Sequence, residues 1–518
     1  MLLRDQPALR LAAAALSGAL LSAAFAPFGQ WWLALACPAL LMALLRGASP
    51  ARAAALGFWF NAGTFTAGTY WLYISIHEIG HAPLWVAFLP MAGLIGVMSL
   101  YGALLGFVTA RFLPPQGALR HLVGLPAAWV LIEWWRGWFL TGFPWLSLGY
   151  SQTDTVLRHA APVVGVYGLS ALLLVGAGAL VLLVVGNSRE RLLAAVVLAV
   201  SWLAPWSLRS IEWTHPAGPP VVVAVAQGAI PEDEKWQEDN RQPTLDRYRD
   251  LTRRALGQGA AVIVWPEAAA PDTAQNLQDY LLDMYHEVHA RGAALVLGVL
   301  RETPGGDYYN SILTMGKEVA WYDKRHLVPF AETFPVPDFV ANWLRLLDLP
   351  YSGFRRGAEH QPPLPAGGLE LAATICYDDA YGSDDLRALA TATALVTVTN
   401  DGWFGRSTAR YQHLQIARMR AIEAGRYLIR AANDGISAVI GPDGQVLAQA
   451  PSYSPQVLRA QVTPRSGLPP YARTGNWLII LLAATSLGVA VRARGGTPGA
   501  AAGSIHVSWS FLKRRSRK

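Results

Sequence analysis

The stretch LELAATICYDD, residues 369–379, decides how the second half of this chain is read. Its apolar run reads as a buried strand, and Cys376 closes it. Ligand sites in α/β folds gather at the carboxyl ends of strands, so the thiol stands where chemistry is expected. Upstream, VIVWPE (262–267) ends another apolar run on Glu267, and YDKRHLVPFAE (322–332) carries Lys324 and Glu332. A cysteine is a strong nucleophile only as the thiolate, and its ordinary pKa is about 8.5. A carboxylate can take the thiol proton. An ammonium can steady the thiolate and then the oxyanion of a tetrahedral intermediate. Singly, each residue has a plainer reading: a small core thiol, a solvated strand end, a surface lysine. Together, in that order, Glu267, Lys324 and Cys376 suit thiol-based acyl chemistry.

The rest of the chain is unlike an ordinary soluble enzyme. It has 518 residues, 53% of them hydrophobic and only 15% charged, with a mean hydropathy of +0.27. These values favour an integral membrane protein of more than one domain. The formal charge of +7 is no sign of nucleic acid, because much of the excess sits in short loops and in the tail KRRSRK. The two cysteines, Cys37 and Cys376, fall in different kinds of segment, so a structural disulfide is not expected.

A bilayer needs about 20 apolar residues per helical span. Stretches near 9–25, 31–45, 53–74, 84–110, 122–140, 163–185 and 192–208 qualify, and a last one lies near 477–491. The expected organisation is a membrane domain over 1–212, a different domain over 213–470, and a final span with a basic tail over 471–518. Ala24-Phe25-Ala26 resembles a leader cleavage site, but Pro27 follows directly and the eight-span count favours an uncleaved span. Arginines 4, 10, 46, 52, 111, 120, 189, 191, 492 and 494 and the tail share one side of such a layout. The positive-inside rule then puts both termini in the cytoplasm and the 213–470 domain outside it. Arg136 and Arg158 are exceptions.

Within 213–470, VVVAVAQG, AAVIVWPE, AALVLGVL, NSILTM, LELAATICY and ALVTVTN read as buried strands. Leu245, Tyr248, Leu251 and Ala255 recur at helical spacing, and 272–291 and 410–425 read as further helices. NDG at Asn400 and Asn433 and GPDG at Gly441 are turns, the last a hairpin that fits a mixed sheet. The pattern is α/β.

Two rivals follow from the residues. HEIGH at 77–81 has the H-E-x-x-H spacing of zinc proteases. Gly80 inside it and Pro83 after it end a helix there, and Glu133 is the best third ligand. A polar loop between spans is the plainer reading, so no metal and no cofactor is expected. A transporter would show internal repeats and ionisable residues within the spans, and neither pattern stands out.

The order Glu267, Lys324, Cys376, with WPE, the run K-x-HLVPF-x-E and Cys-Tyr, resembles the carbon–nitrogen hydrolase (nitrilase) superfamily. FAPFG (25–29), EWWRGWFLTGFPWLSLGYSQ (133–152) and GVYGLSALL (165–173) resemble the membrane half of one branch, the apolipoprotein N-acyltransferase family. That resemblance implies an α-β-β-α sandwich behind about eight membrane helices. It implies transfer of an acyl chain from a membrane phospholipid to the α-amine of an S-diacylglyceryl cysteine, through a thioester on Cys376. Glu267 would be the base, and Lys324 the oxyanion partner with a backbone N–H near Tyr377. It assigns Glu332 a place beside Lys324 and Trp236 a loop over the site. Asp378 departs from the pattern, because glutamate is usual after Cys-Tyr. Trp134, Trp135, Trp138, Phe143 and Trp145 would line the acyl-chain region or form an interfacial belt. A membrane-anchored amidase would use the same three residues. The expected setting is the bacterial inner membrane, with the catalytic domain in the periplasm.

Overall fold

The computed structural model describes residues 6–333, 353–382 and 386–495, so Arg4 and the KRRSRK tail lie outside the described residues. VVVAVAQ forms strand β1 (Val221–Gln227). Its alternate residues part by size: Val223 and Val225 enter the core between two sheets, and Ala224 and Ala226 meet helices on the other face. A strand covered on both faces reads as continuously apolar for this reason.

The first sheet continues with β2 (Val262–Val264), β3 (Ala294–Glu302), β4 (Tyr308–Met315) and β5 (Val319–Asp323). The second holds β6 (Leu364–Ala366), β7 (Leu369–Ile375), β8 (Ala394–Thr399), β9 (Leu428–Ala432), β10 (Ala438–Ile440) and β11 (Val446–Gln449). Strand β12 (Gln456–Val462) returns to the first sheet. The orders are β12-β1-β2-β3-β4-β5 and β11-β10-β9-β8-β7-β6. β10 and β11 form the antiparallel GPDG hairpin, and β7-β8-β9 are parallel, so the sheets are mixed as expected. β5, β6, β9 and β12 are additions to the strands read from sequence.

Valines and isoleucines of both sheets share one core, including Val262, Val264, Ile375, Val396 and Ile429. Helices Glu238–Gly257 and Gln278–His289 cover the first sheet, and Ala409–Ala424 covers the second. This is the four-layer α-β-β-α sandwich. The helix expected from 272 starts only at Gln278, because Thr273 instead bridges to β3 at Leu300.

Among the described residues, five helical stretches are long and apolar enough to cross a bilayer: Pro7–Ala24, Leu84–Phe112, Val156–Val185, Ser188–Ser210 and Trp477–Gly495. Leu33–Leu44, Pro50–Gly68 and Leu125–Arg136 are shorter or more polar and pack among them. Two expected spans end early. The third breaks after Gly68 and resumes as Trp71–Ile79. The fifth stops at Arg136: Trp138 leaves the helical region at φ −138°, and Leu140 and Gly142 take positive φ of 53° and 78°. Glycines set the close crossings: a Cβ on Gly57 would lie 1.9 Å from the Gly102 carbonyl oxygen. Arg136, an exception to the charge rule, is not a loop cation. It is buried and donates from Nη1 to the carbonyls of Phe143 and Trp145, both at 2.7 Å.

The helix Ala409–Ala424 joins the two halves, which is why it is buried nearly all round. Trp145 Nε1 donates to Gln412 Oε1 at 2.7 Å, the Val166 N–H donates to Glu423 Oε1 at 2.7 Å, and the Ala26 N–H reaches Gln415. The face of the sandwich carrying the Cys376 turn also meets the membrane half. Tyr377 and Tyr381 donate their hydroxyls to the Gly142 and Thr141 carbonyls at 3.0 and 2.8 Å.

Candidate active site

Glu267 lies just beyond the end of β2, where Ala268 turns with a positive φ of 44°. Gly298 on β3 makes room for it: a Cβ there would stand 2.6 Å from Glu267 Cα. The carboxylate is buried and fully engaged. Oε1 accepts from Asn310 Nδ2 at 2.8 Å and Lys324 Nζ at 3.2 Å. Oε2 accepts from the Asn400 N–H at 3.0 Å, and the Glu267 carbonyl accepts from Lys235 Nζ at 3.3 Å.

Lys324 follows β5, and two backbone bonds hold it there. Its N–H donates to the Asn310 carbonyl and its carbonyl accepts from the Gly357 N–H, both at 2.8 Å. Its ammonium also donates to Glu332 Oε1 at 2.9 Å, while Glu332 Oε2 accepts from the Val328 N–H at 2.8 Å. Burial opposes the charge on Lys324, but the Glu267 and Glu332 carboxylates outweigh it and hold the ammonium well above the usual lysine range. Burial also works against ionised Glu267. Lys324 and the Asn310 amide prevail, so its carboxyl stays below the usual range.

Cys376 ends β7 in a left-handed conformation, φ 52°, unusual for a residue with a side chain. Such a turn lifts a nucleophile clear of the strand end, as in the elbow of hydrolases. Burial and the Glu267 charge push the thiol well above the usual cysteine range, against the pull of Lys324 and a hydrogen bond with Thr399. The resting thiol therefore keeps its proton. Moving that proton to Glu267 shifts one buried anion from oxygen to sulfur without adding a charge, so it avoids the large cost of a new buried ion.

Asp378 ties the Cys376 turn to the Lys324 segment. Oδ1 accepts from the His326 N–H at 2.6 Å, and Oδ2 accepts from the Ile375 N–H at 3.2 Å and the Tyr322 hydroxyl at 3.1 Å. Trp236 is 50% exposed and donates through Nε1 to Glu232 Oε1 at 3.3 Å. Its neighbour Lys235 anchors that loop beneath Glu267. Trp134 and Trp138 line a cavity of about 250 Å³ together with Tyr150, Tyr167, His326 and Tyr381. Trp145 is instead buried against Gln412.

Asn310, Lys235, Asn400 and Thr399 also join the site, with no motif in the sequence to mark them, and a buried charged group lies behind Cys376. His413 Nδ1 lies 2.9 Å from Asp401 Oδ1, and Nε2 lies 3.1 Å from Asp379 Oδ1. Arg430 donates to Asp401 Oδ2 at 2.8 Å. A charged residue inside an apolar strand, such as Arg430 in LIRAA, was the signal available. The HEIGH loop does not form a metal helix. Its helical turn ends at Gly80, His81 takes a positive φ of 51°, and His77 Nδ1 lies 2.7 Å from the Ala82 carbonyl oxygen.

Two family models match. Residues 17–179 match the apolipoprotein N-acyltransferase N-terminal domain, and 222–467 match carbon-nitrogen hydrolase. The apolipoprotein N-acyltransferase of Methylococcus capsulatus (strain Bath) is 40% identical over 474 residues, covering 91% of this chain and 94% of that one. That of Pseudomonas syringae pv. tomato is 40% identical over 484 residues, covering 92% and 95%. Among solved structures, a carbon-nitrogen hydrolase from Helicobacter pylori G27 is similar at 20% identity and a TM-score of 0.36, covering 47% of this chain and 89% of that one.

Proposed function

This chain belongs to the apolipoprotein N-acyltransferase family, and from that membership we propose how its residues carry out lipoprotein N-acylation. It is an acyltransferase, and a bacterial membrane protein by its relatives and its apolar helices. The observation that supports the mechanism is the single buried cluster joining Glu267, Lys324 and Glu332 beside the Cys376 turn, on the face that meets the membrane half.

In the first half-reaction Glu267 takes the Cys376 proton as sulfur attacks the ester carbonyl of a phospholipid. The new C–S bond leaves an oxyanion beside Lys324 Nζ and the backbone N–H groups of the Cys376 turn. Collapse breaks the C–O bond, the lysophospholipid oxygen takes the proton back from Glu267, and a thioester remains. In the second, the α-amine of a diacylglyceryl-cysteine lipoprotein attacks that thioester. Glu267 takes the ammonium-derived proton and returns it to sulfur as the C–S bond breaks. Glu332 holds Lys324 in line, and Asp378 holds the nucleophile's turn. Trp236 and the aromatic cavity near Trp134 and Trp138 guide acyl chains and exclude water, which would otherwise make the enzyme a lipase. Residues 213–470 form the catalytic domain on the periplasmic side of the inner membrane, between membrane parts at 1–212 and 471–518. The reaction needs no metal and no cofactor.

Purified enzyme should transfer a phospholipid acyl chain to a diacylglyceryl-cysteine peptide and leave the same peptide without its diacylglyceryl group unmodified. Equal transfer to both, or amide hydrolysis without transfer, would replace this reading with that of a membrane-anchored amidase.

A further inference from the structure

A second cavity, of about 330 Å³, lies where the HEIGH loop of the membrane half meets the catalytic domain. Glu78 and His81 come from that loop, and Glu232, Asp233, Arg406 and Asp434 from the catalytic domain. The segment leading into the loop is held to the catalytic domain: Trp71 packs edge-on to Phe404 at 4.9 Å, and the Thr408 N–H donates to the Tyr70 hydroxyl at 3.2 Å. We propose that this cavity receives a primary ammonium group carried by a membrane-bound substrate, with Asp434 and Glu232 as its counter-charges. The inference rests on the acyl-transfer reading above, because that reaction supplies lipid-borne ammonium groups.

Three observations carry it. The wall has four carboxylates against one guanidinium and one imidazole, and none of the four joins a salt bridge among the described residues. Asp434 is only 8% exposed, and its Oδ1 has no hydrogen-bond partner among the described residues. A buried carboxylate oxygen without a donor is costly, and an N–H donor from a ligand removes that cost. Burial first, then the charges of Asp401 and Glu232, push the Asp434 carboxyl up to about 7, which marks a negative field in want of a cation. Among the described residues no three His, Cys, Asp or Glu converge closely enough to hold a metal ion, so an organic cation fits better.

The cavity also communicates with the reaction. Asn400 donates its side-chain amide to Glu232 Oε2 at 2.5 Å and its backbone N–H to Glu267 Oε2 at 3.0 Å. An ammonium held at Glu232 is thus one residue removed from the proposed base. Trp236 sits on the same Glu232 carboxylate, which puts apolar surface for a lipid beside the charge.

Two substrates could present the ammonium: the α-amine of the acceptor, or an ethanolamine headgroup on the donor. Full-length protein and its Asp434→Asn variant are compared in each half-reaction separately. If the acceptor is the source, Asp434→Asn raises the acceptor KM about tenfold, the worth of one charge-assisted hydrogen bond, and leaves thioester formation unchanged. If the headgroup is the source, the variant slows thioester formation from phosphatidylethanolamine and not from phosphatidylglycerol. A Glu78→Gln/Asp233→Asn double variant on the exposed rim should shift the same constant by a smaller factor, and it serves if Asp434→Asn fails to fold. Binding of a diacylglyceryl-cysteine peptide and its N-acetylated form, and of each phospholipid, to Cys376→Ala protein reads the cavity without turnover. A failure of the thioester chemistry would therefore leave this test standing. Unchanged constants in both half-reactions, with no discrimination between charged and uncharged ligands, would overturn the proposal.

Discussion

The Nε2 of His413 lies 3.2 Å from the carbonyl oxygen of Cys376, directly behind the proposed nucleophile. Burial and Arg430 oppose a charge on His413, but Asp379 and Asp401 outweigh them and raise its pKa to about 9. The imidazolium then donates to Asp401 on one side and to Asp379 and the Cys376 carbonyl on the other.

That arrangement predicts how stability depends on pH. The folded value exceeds the ordinary one of about 6.5, so the contribution is complete below pH 6.5 and is lost as pH climbs through about 9. It is worth on the order of 3 kcal/mol at about 1.4 kcal/mol per unit. The melting temperature of the detergent-purified protein should fall between pH 7 and pH 10. His413→Gln should start lower and vary less over the same range. Parallel curves for both proteins would remove His413 from the stability account.

Glu267→Gln and Lys324→Met should differ in a way that separates chemistry from folding. Glutamine keeps an oxygen for the Asn400 N–H, and Lys324 retains Glu332, so that variant should melt near the wild type. It should still lose about 10²–10⁴-fold in turnover, the usual worth of a general base. Lys324→Met strands the buried Glu267 carboxylate and the partly buried Glu332 one, and should lose both turnover and stability, the latter by roughly 3–5 kcal/mol. Near-normal rates in either variant would remove that residue from the mechanism.

Asp378 acts at one remove, through the backbone of Ile375 and His326. Asp378→Asn should slow thioester formation about 10–100-fold, the equivalent of one or two charge-assisted hydrogen bonds. The pH profile of the surviving activity should keep its shape, because Asp378 bonds the backbone of the turn and neither Cys376 nor Glu267. A displaced profile would mean that Asp378 itself exchanges protons.

Orientation can be read from lysines. Lys317 is the exposed lysine of the catalytic domain, whereas Lys235 and Lys324 are buried; Lys513 and Lys518 lie in the tail. A membrane-impermeant amine reagent added to intact spheroplasts should modify Lys317 and spare the tail. The opposite pattern would invert the topology.

Much of this was legible because strand ends leave local signatures. Runs such as VIV and LAATI are apolar because both faces are covered, and Glu267 and Cys376 follow shortly after them. The strand LIRAA escaped because Arg430 interrupts its apolar pattern, a charge tolerated only through Asp401 and Asp379 elsewhere in the chain. The helix read at 410–425 forms at 409–424, but its burial between the two halves leaves it no solvent face, and no sequence periodicity announces that. Asn310 could not be foreseen as a partner of Glu267, since their contact depends on the pairing of β2, β3 and β4. The early end of the 122–140 span follows from the non-helical backbone at Trp138 and Leu140, which hydropathy does not register.

The central claim is that Cys376 carries the acyl group. Purified protein exposed to phospholipid without acceptor should gain the mass of one fatty acyl unit, and neutral hydroxylamine should remove it. The adduct should be absent from Cys376→Ser treated alike. A hydroxylamine-labile adduct that persists in Cys376→Ser, or wild-type protein that transfers acyl chains to the lipidated peptide without ever gaining that mass, would contradict the account.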